Sequence, residues 1–203
     1  DRIESFMPDN TVRLPDFVIP VGETADSALR KFCFEGLRSK NLHSDDEYTD
    51  RLEHELSVIA DRGFSKYFLT MNEIATITNE VMLTGPGRGS AAGSLVAYAL
   101  NITQVDPLKY GLQFARFLRA DATDYPDIDY DVAEPMELKE LLVDKWGSDV
   151  VAPISNWNTL QLKSLIKDIS KLYDIPFQEV NAVTGKMMFE ATVAAKKKHG
   201  IKA

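Results

Sequence analysis

One cysteine in 203 residues, Cys33, excludes an intrachain disulfide and fits a reducing, cytoplasmic setting. Cys33 itself reads as a small buried apolar residue. Long hydrophobic runs are also missing. The longest clean stretch, Leu95 to Leu100, is far too short to cross a bilayer, so no membrane partner is expected. The N-terminus, Asp1-Arg2-Ile3-Glu4-Ser5, lacks an initiator methionine and any signal-peptide pattern, so the chain reads as cut from a longer one. It has no internal repeat and no low-complexity tract. What remains is ordinary for a soluble globular protein, with 44% hydrophobic and 27% charged residues and room for one large domain or two small ones.

A net charge of −8 argues against nucleic-acid binding as a whole-chain average, but the average hides an asymmetry. From Asn156 onward there are eight Lys, no Arg and four acids, a balance of +4 that leaves −12 for residues 1–155. Acidic residues hold cations and basic ones hold phosphates, so the two parts suit different tasks.

Local patterns organise the chain. Residues 1–24, with Pro8, Pro15, Pro20 and Gly22, read as an extended linker. A helix is predicted over 25–39, capped by Thr24, with Leu29, Phe32, Cys33 and Leu37 on one stripe. Ser44-Asp45-Asp46-Glu47 has capping-box spacing and precedes a helix with Tyr48, Leu52, Leu56 and Ile59 on one face. A third helix is expected over 65–80, a short one after Asp106-Pro107, and another from Pro135 to Gly147. Tyr125 to Val132 alternates acid with apolar residue and predicts a strand, and Val150 to Ile154 a second. Beyond a boundary near 155–158 the pattern is helical, over about 159–173, 176–184 and 187–199.

Two constellations carry chemistry. On a strand, residues two apart share a face and stand roughly 6–7 Å apart, so Asp127, Asp129 and Asp131 point the same way. Carboxylates that close resist joint ionisation unless a cation neutralises them, and strands disfavour Asp. A magnesium-type ion or a solvated acidic edge strand both account for the run. The second is Gly85-Pro86-Gly87-Arg88-Gly89-Ser90-Ala91-Ala92-Gly93-Ser94. Its glycines let a backbone approach a phosphate, Arg88 can grip one, and the helix that follows offers N–H groups at its N-terminus. The loop lacks the Gly-Lys-Ser/Thr ending of a P-loop. A dinucleotide-binding reading survives, with a short strand at 81–84 and Asp106 about twenty residues on. So does a tight turn that packs a helix closely.

Taken together, Gly85 to Tyr98, then Ile102-Thr103, Asp106-Pro107-Leu108, Phe114-Ala115-Arg116-Phe117-Leu118 and Pro126-Asp127-Ile128-Asp129-Tyr130-Asp131, closely resemble the alpha subunit of bacterial DNA polymerase III, a C-family replicase. Arg51-Leu52-Glu53-x-Glu55-Leu56 and Gly63-Phe64-x-x-Tyr67-Phe68-Leu69 match as well, and the likeness runs from about Leu14 to Tyr173. The resemblance implies an α/β (α+β) fold: a nucleotidyltransferase-like palm with a small mixed sheet over 25–155 and an all-helical thumb over 156–203. It implies a fragment of a DNA-directed DNA polymerase that extends a primer 3′ end by two-metal phosphoryl transfer. Asp127 and Asp129 would be the catalytic, metal-binding carboxylates for two magnesium ions, with Asp131 in support. Arg88, Gly89, Ser90 and Arg116 would hold the nucleotide's phosphates, and Lys163, Lys167, Lys196, Lys197 and Lys198 would contact DNA.

The implied partners are template-primer DNA, deoxynucleoside triphosphates, the rest of the polymerase chain, and a sliding clamp bound through regions outside this chain. Phe-Ala-Arg-Phe, Arg119-Ala120-Asp121-Ala122, Val132 and Trp157-Asn158-Thr159 depart from the family pattern and point to a divergent member, phage-encoded ones included. The family's third catalytic aspartate follows the thumb and has no match here, so the chain alone is expected not to polymerise. The readings from other classes are a dinucleotide-binding domain and a non-catalytic nucleic-acid-binding module.

Overall fold

The computed structural model describes residues 12–15, 17, 19, 22–154, 159 and 161–198. The expected linker over 1–24 and the departures at Trp157 and Asn158 lie mostly or wholly outside the described residues. The chain divides into two compact units, residues 1–153 and 154–203.

The first unit is helical. Thr24 caps α1 (Ala25–Ser39) through a reciprocal box: the Ser27 amide donates to Thr24 Oγ1 at 3.1 Å, and the Thr24 amide donates to Ser27 Oγ at 2.9 Å. At α2 (Asp46–Asp61) the cap is Asp45, whose carboxylate accepts from the Glu47 amide at 2.9 Å, so the box expected at Ser44 does not form. Asp45 is one residue nearer the first turn and charged, which suits a helix N-terminus better than a hydroxyl. Then follow α3 (Ser65–Val81), a 3-10 turn at Ser90–Gly93, α4 (Leu95–Ala99), a 3-10 turn at Phe114–Arg116 and α5 (Pro135–Trp146). After Asp106 the chain makes turns rather than a helix, with the Asp106 carboxylate accepting from the Leu108 and Lys109 amides and from the Tyr48 hydroxyl.

The core fills between α1, α2, α3 and α4 with Leu29, Leu37, Leu52, Ile59, Phe68, Leu69, Leu95 and Val96, each worth roughly 1.5–3 kcal/mol of burial. Gly36 lets α1 approach α4: a Cβ there would lie 2.0 Å from the Ala99 carbonyl oxygen. That contact explains a glycine in the last turn of α1, where it costs up to about 1 kcal/mol relative to alanine.

The expectation of a palm with a small mixed sheet is overturned. Among the described residues there is no strand and no sheet, only one isolated antiparallel bridge between Thr84 and Val132. The Gly85 amide donates to the Asp131 carbonyl at 2.9 Å and the Ala133 amide to the Leu83 carbonyl at 3.0 Å, and there the pairing stops. The reason is spatial. The partner segment is squeezed between the end of α3 at Val81 and Pro86, which has no amide hydrogen to donate, so no ladder can grow. The alternation along 125–132 survives as burial: Pro126 is buried and Ile128 and Tyr130 pack on the core, while Asp127 and Asp131 are exposed. Val150 to Ile154 forms no strand either. The dinucleotide-binding alternative needs a parallel sheet around the glycine loop, and the described residues contain none.

The second unit is a helix pair, α6 (Leu162–Leu172) and α7 (Phe177–Lys198), joined through Asp174 at φ 52°. A break is expected near Gly185, yet α7 runs through it. One glycine costs a helix about 1 kcal/mol, and packing of Val180 and Thr184 outweighs that. No helix among the described residues is long and apolar enough to cross a membrane.

Candidate functional site

The glycine loop starts where α3 ends and finishes at the N-terminus of α4. Gly89 has φ 66° and ψ −159°, a conformation essentially closed to other residues. It turns the chain against the aspartate segment: a Cβ on Gly89 would meet Asp129 Oδ2 at 2.4 Å, and one on Gly85 would meet the Asp131 Cβ at 3.0 Å. Arg88 reaches the same segment, with Nη2 3.3 Å from Asp129 Oδ1 and Nε 2.9 Å from Asp131 Oδ1. The structure therefore brings Arg88, Gly89, Asp129 and Asp131 together. Asp127 is exposed, and its position is felt at Tyr67, whose hydroxyl donates to the Pro126 carbonyl at 2.8 Å. Burial first, and the Asp127 charge second, push the Tyr67 phenol up to about 12.

On its other side the loop lines a pocket of about 520 Å³ whose wall includes Gly89, Ser90, Gly93, Leu112, Gln113 and Arg116. Three of the four residues expected to hold phosphate share this pocket. Arg88 does not line it and is engaged with the carboxylates instead. A second pocket of about 470 Å³, between Phe32, Asn72, Asn79 and Asn101, contains none of the expected site residues.

The expectation that α4 presents its N-terminal amides to a phosphate needs correction. Glu55, fully buried on α2, already occupies them. The Leu95 amide donates to Oε1 at 3.0 Å, and the Val96 amide and the Ser94 hydroxyl donate to Oε2 at 3.1 and 2.9 Å. Ser94 Oγ accepts from the Ala97 amide at 3.1 Å. Arg51 pairs with Glu55, Nε to Oε1 at 2.7 Å, and extends Nη2 to the carbonyls of Gly93 at 2.9 Å and Leu112 at 3.2 Å. Burial drives the Glu55 carboxyl above the ordinary glutamate range, opposed by the Leu95 and Val96 amides and by Arg51. Neither Arg51 nor Glu55 stands out as functional in the sequence. The available signals are the likeness of Arg51-Leu52-Glu53-x-Glu55-Leu56 to the family and Glu55 itself, a charge set among Leu52, Leu56 and Ile59 on the buried stripe of α2.

The oxygen donors suit a hard cation. Asp129 already attracts one positive group, the Arg88 guanidinium, and the bare Cα of Gly89 lets its carboxylate pack against the loop. Among the described residues no three or more His, Cys, Asp or Glu converge as a closed metal site.

The expected DNA contacts lie in the second unit. Lys163 and Lys167 stand one turn apart on α6, and Lys167 Nζ donates to Asn181 Oδ1 at 2.9 Å and sits 5.0 Å from the Phe177 ring centre. Lys196, Lys197 and Lys198 form the exposed last turn of α7.

The model of a family described as the bacterial DNA polymerase III alpha NTPase domain matches residues 27–202. The chain is 42% identical over 172 residues to the DNA polymerase III subunit alpha of Bacillus subtilis, covering 83% of this chain and 15% of that protein. It is 38% identical over 185 residues to the Aquifex aeolicus subunit, with 87% and 16% covered, and 43% identical over 177 residues to that of Borreliella burgdorferi, with 84% and 15% covered. The chain thus spans about a sixth of the length of these relatives.

Proposed function

The chain belongs to the bacterial DNA polymerase III alpha family, and from that premise we propose that it forms part of the catalytic region of a DNA-directed DNA polymerase. The pocket lined by Gly89, Ser90 and Arg116 takes the triphosphate of an incoming deoxynucleotide, and Asp127 and Asp129 hold the divalent metal, magnesium by its donor chemistry. The carrying observation is that one glycine serves both sides, since Gly89 lines the pocket and abuts the Asp129 carboxylate. When bound, the metal supplies charge to the transferring phosphoryl group and its pyrophosphate leaving group.

The protein's own residues do the rest. The loop backbone and Arg116 orient the phosphates, and the carboxylates fix where positive charge sits. Arg88 balances Asp129 and Asp131 and lies one residue from the pocket wall, within reach of a role toward phosphate once the carboxylates have another cation. The helix pair 162–198, with Lys163, Lys167 and Lys196 to Lys198, meets the phosphate backbone of template-primer DNA, in line with its basic balance.

The test is primer extension by a longer polymerase that contains this chain. Asp129→Asn, which removes one charge and leaves the shape, is expected to lower incorporation by about a thousandfold, corresponding to several kcal/mol of transition-state stabilisation. Incorporation within a few-fold of the unmodified enzyme refutes the assignment.

A further inference from the structure

The pocket beside Gly89 has two walls distant in sequence, the loop 89–93 and the segment 111–116. They meet where Gly93 faces Gln113 so closely that a Cβ would lie 2.9 Å from the Gln113 carbonyl oxygen. Arg51 ties them together: Nη2 takes the Gly93 carbonyl of one wall and the Leu112 carbonyl of the other, while Nε is held by the buried Glu55. Glu55 in turn anchors Ser94, Leu95 and Val96 immediately after the first wall. One part-buried ion pair on α2, with Glu55 fully buried, therefore fixes the separation of two loops that share no secondary structure.

The tie also has an electrostatic side. A pocket that takes an anion is weakened by carbonyl oxygens directed at it. The guanidinium engages the carbonyls of two wall residues, Gly93 and Leu112, and so meets their negative ends directly. We propose that Arg51, oriented by Glu55, is a positioning residue for polyphosphate binding, setting the width of the pocket and cancelling the wall carbonyls without touching the ligand. This rests on the pocket being a triphosphate site, as proposed above.

Arginine is required because three acceptors must be met at once from one planar fork; a lysine carries the charge but cannot span Glu55, Gly93 and Leu112 together. The experiment measures binding of inorganic tripolyphosphate with magnesium to this chain by calorimetry, for the unmodified protein, Arg51→Lys, Arg51→Met and Arg51→Gly. Folding is monitored by far-UV circular dichroism. The expected result is a loss of about tenfold or more in affinity for folded Arg51→Lys, the equivalent of one charge-assisted hydrogen bond, with partial recovery of Arg51→Gly on adding methylguanidinium.

Hydrogen exchange gives a ligand-free readout. Exchange should quicken together at 89–96 and 113–118 in Arg51→Lys, while amides of α1 and α3 keep their protection. Unchanged tripolyphosphate affinity in a folded Arg51→Lys or Arg51→Met overturns the positioning role and leaves the triphosphate pocket standing. Failure of the unmodified chain to bind tripolyphosphate overturns both.

Discussion

Replacing Gly89 by alanine tests the junction on which the site depends, and its cost can be worked out in two parts. The first is backbone. At φ 66° and ψ −159° an L-residue sits in a region almost reserved for glycine, at a cost on the order of 1–3 kcal/mol. The second is contact. The new methyl would meet Asp129 Oδ2 at 2.4 Å, so the carboxylate must rotate and its 3.3 Å approach to Arg88 is lost. That ion pair is worth little, about 0–1 kcal/mol, because the Arg88 and Asp129 side chains are 61% and 34% exposed.

The backbone part therefore dominates. Gly89→Ala should lose about 1–3 kcal/mol, seen as a Tm lower by roughly 2–12 °C for a protein of this size. Asp129→Ala separates the two parts, since it removes the clash and leaves the backbone strain. In a urea-denaturation cycle of Gly89→Ala, Asp129→Ala and the double variant, the coupling should stay below about 1 kcal/mol, with most of the glycine effect persisting without Asp129. A Gly89→Ala change that costs nothing once Asp129 is alanine would show that the loop is not held in the glycine-only region, and the argument for its close approach would fall.

Other outcomes follow from separate contacts. Gly36→Ala forces a methyl into the Ala99 backbone carbonyl and should destabilise the first unit by about 1–3 kcal/mol or more, measured by urea denaturation; a neutral effect would contradict the α1–α4 approach. Tyr67 is raised from 10 to about 12, so its neutral form is favoured in the folded state: that stability is complete below pH 10 and is lost as pH rises through 12. Phenolate absorbance of Asp127→Asn should show a titration lowered toward the ordinary tyrosine range but still above it, because burial is the larger cause, and no movement would place Asp127 away from Tyr67. Changing Lys196, Lys197 and Lys198 to alanine should flatten the salt dependence of DNA binding by about 0.9 log unit per log salt for each phosphate contact removed; an unchanged slope would exclude this turn from the interface.

Most helices were legible from local rules, though the one expected after Asp106-Pro107 is replaced by turns. Thr24 and Ser27 write the start of α1, Leu29, Cys33 and Leu37 its buried stripe, and Pro135 and Gly147 the two ends of α5. A sheet was expected and is absent among the described residues because a strand is a property of a pair. The run from Tyr125 to Val132 has the right alternation and expresses it as burial, but Thr84 is the one residue that bridges to it among those described. Gly185 misled for a similar reason: its break signal is local, and the packing of α7 on α6 that overrides it comes from residues more than ten positions away.

The site was half legible, and the missing half changes its electrostatics. Glycines and aspartates announce themselves by type, so the loop and the acidic segment could be paired before any coordinates. Glu55 could not be assigned that way, because its role is set by amides forty positions along the chain. An anion built into the N-terminus of α4 means that this helix end cannot be what attracts a phosphate. On the proposed function, the attraction would come from Arg116 and from the loop backbone of 89–93, since Glu55 offsets the charge of Arg51. The Arg51–Glu55 pair is thus better suited to holding shape than to supplying net positive potential, since Glu55 neutralises Arg51 at long range while leaving its guanidinium fork directed at the Gly93 and Leu112 carbonyls. Specificity for a polyphosphate would then rest on the spacing between the two walls, and a change in that spacing would weaken binding without any change in the net charge of the pocket.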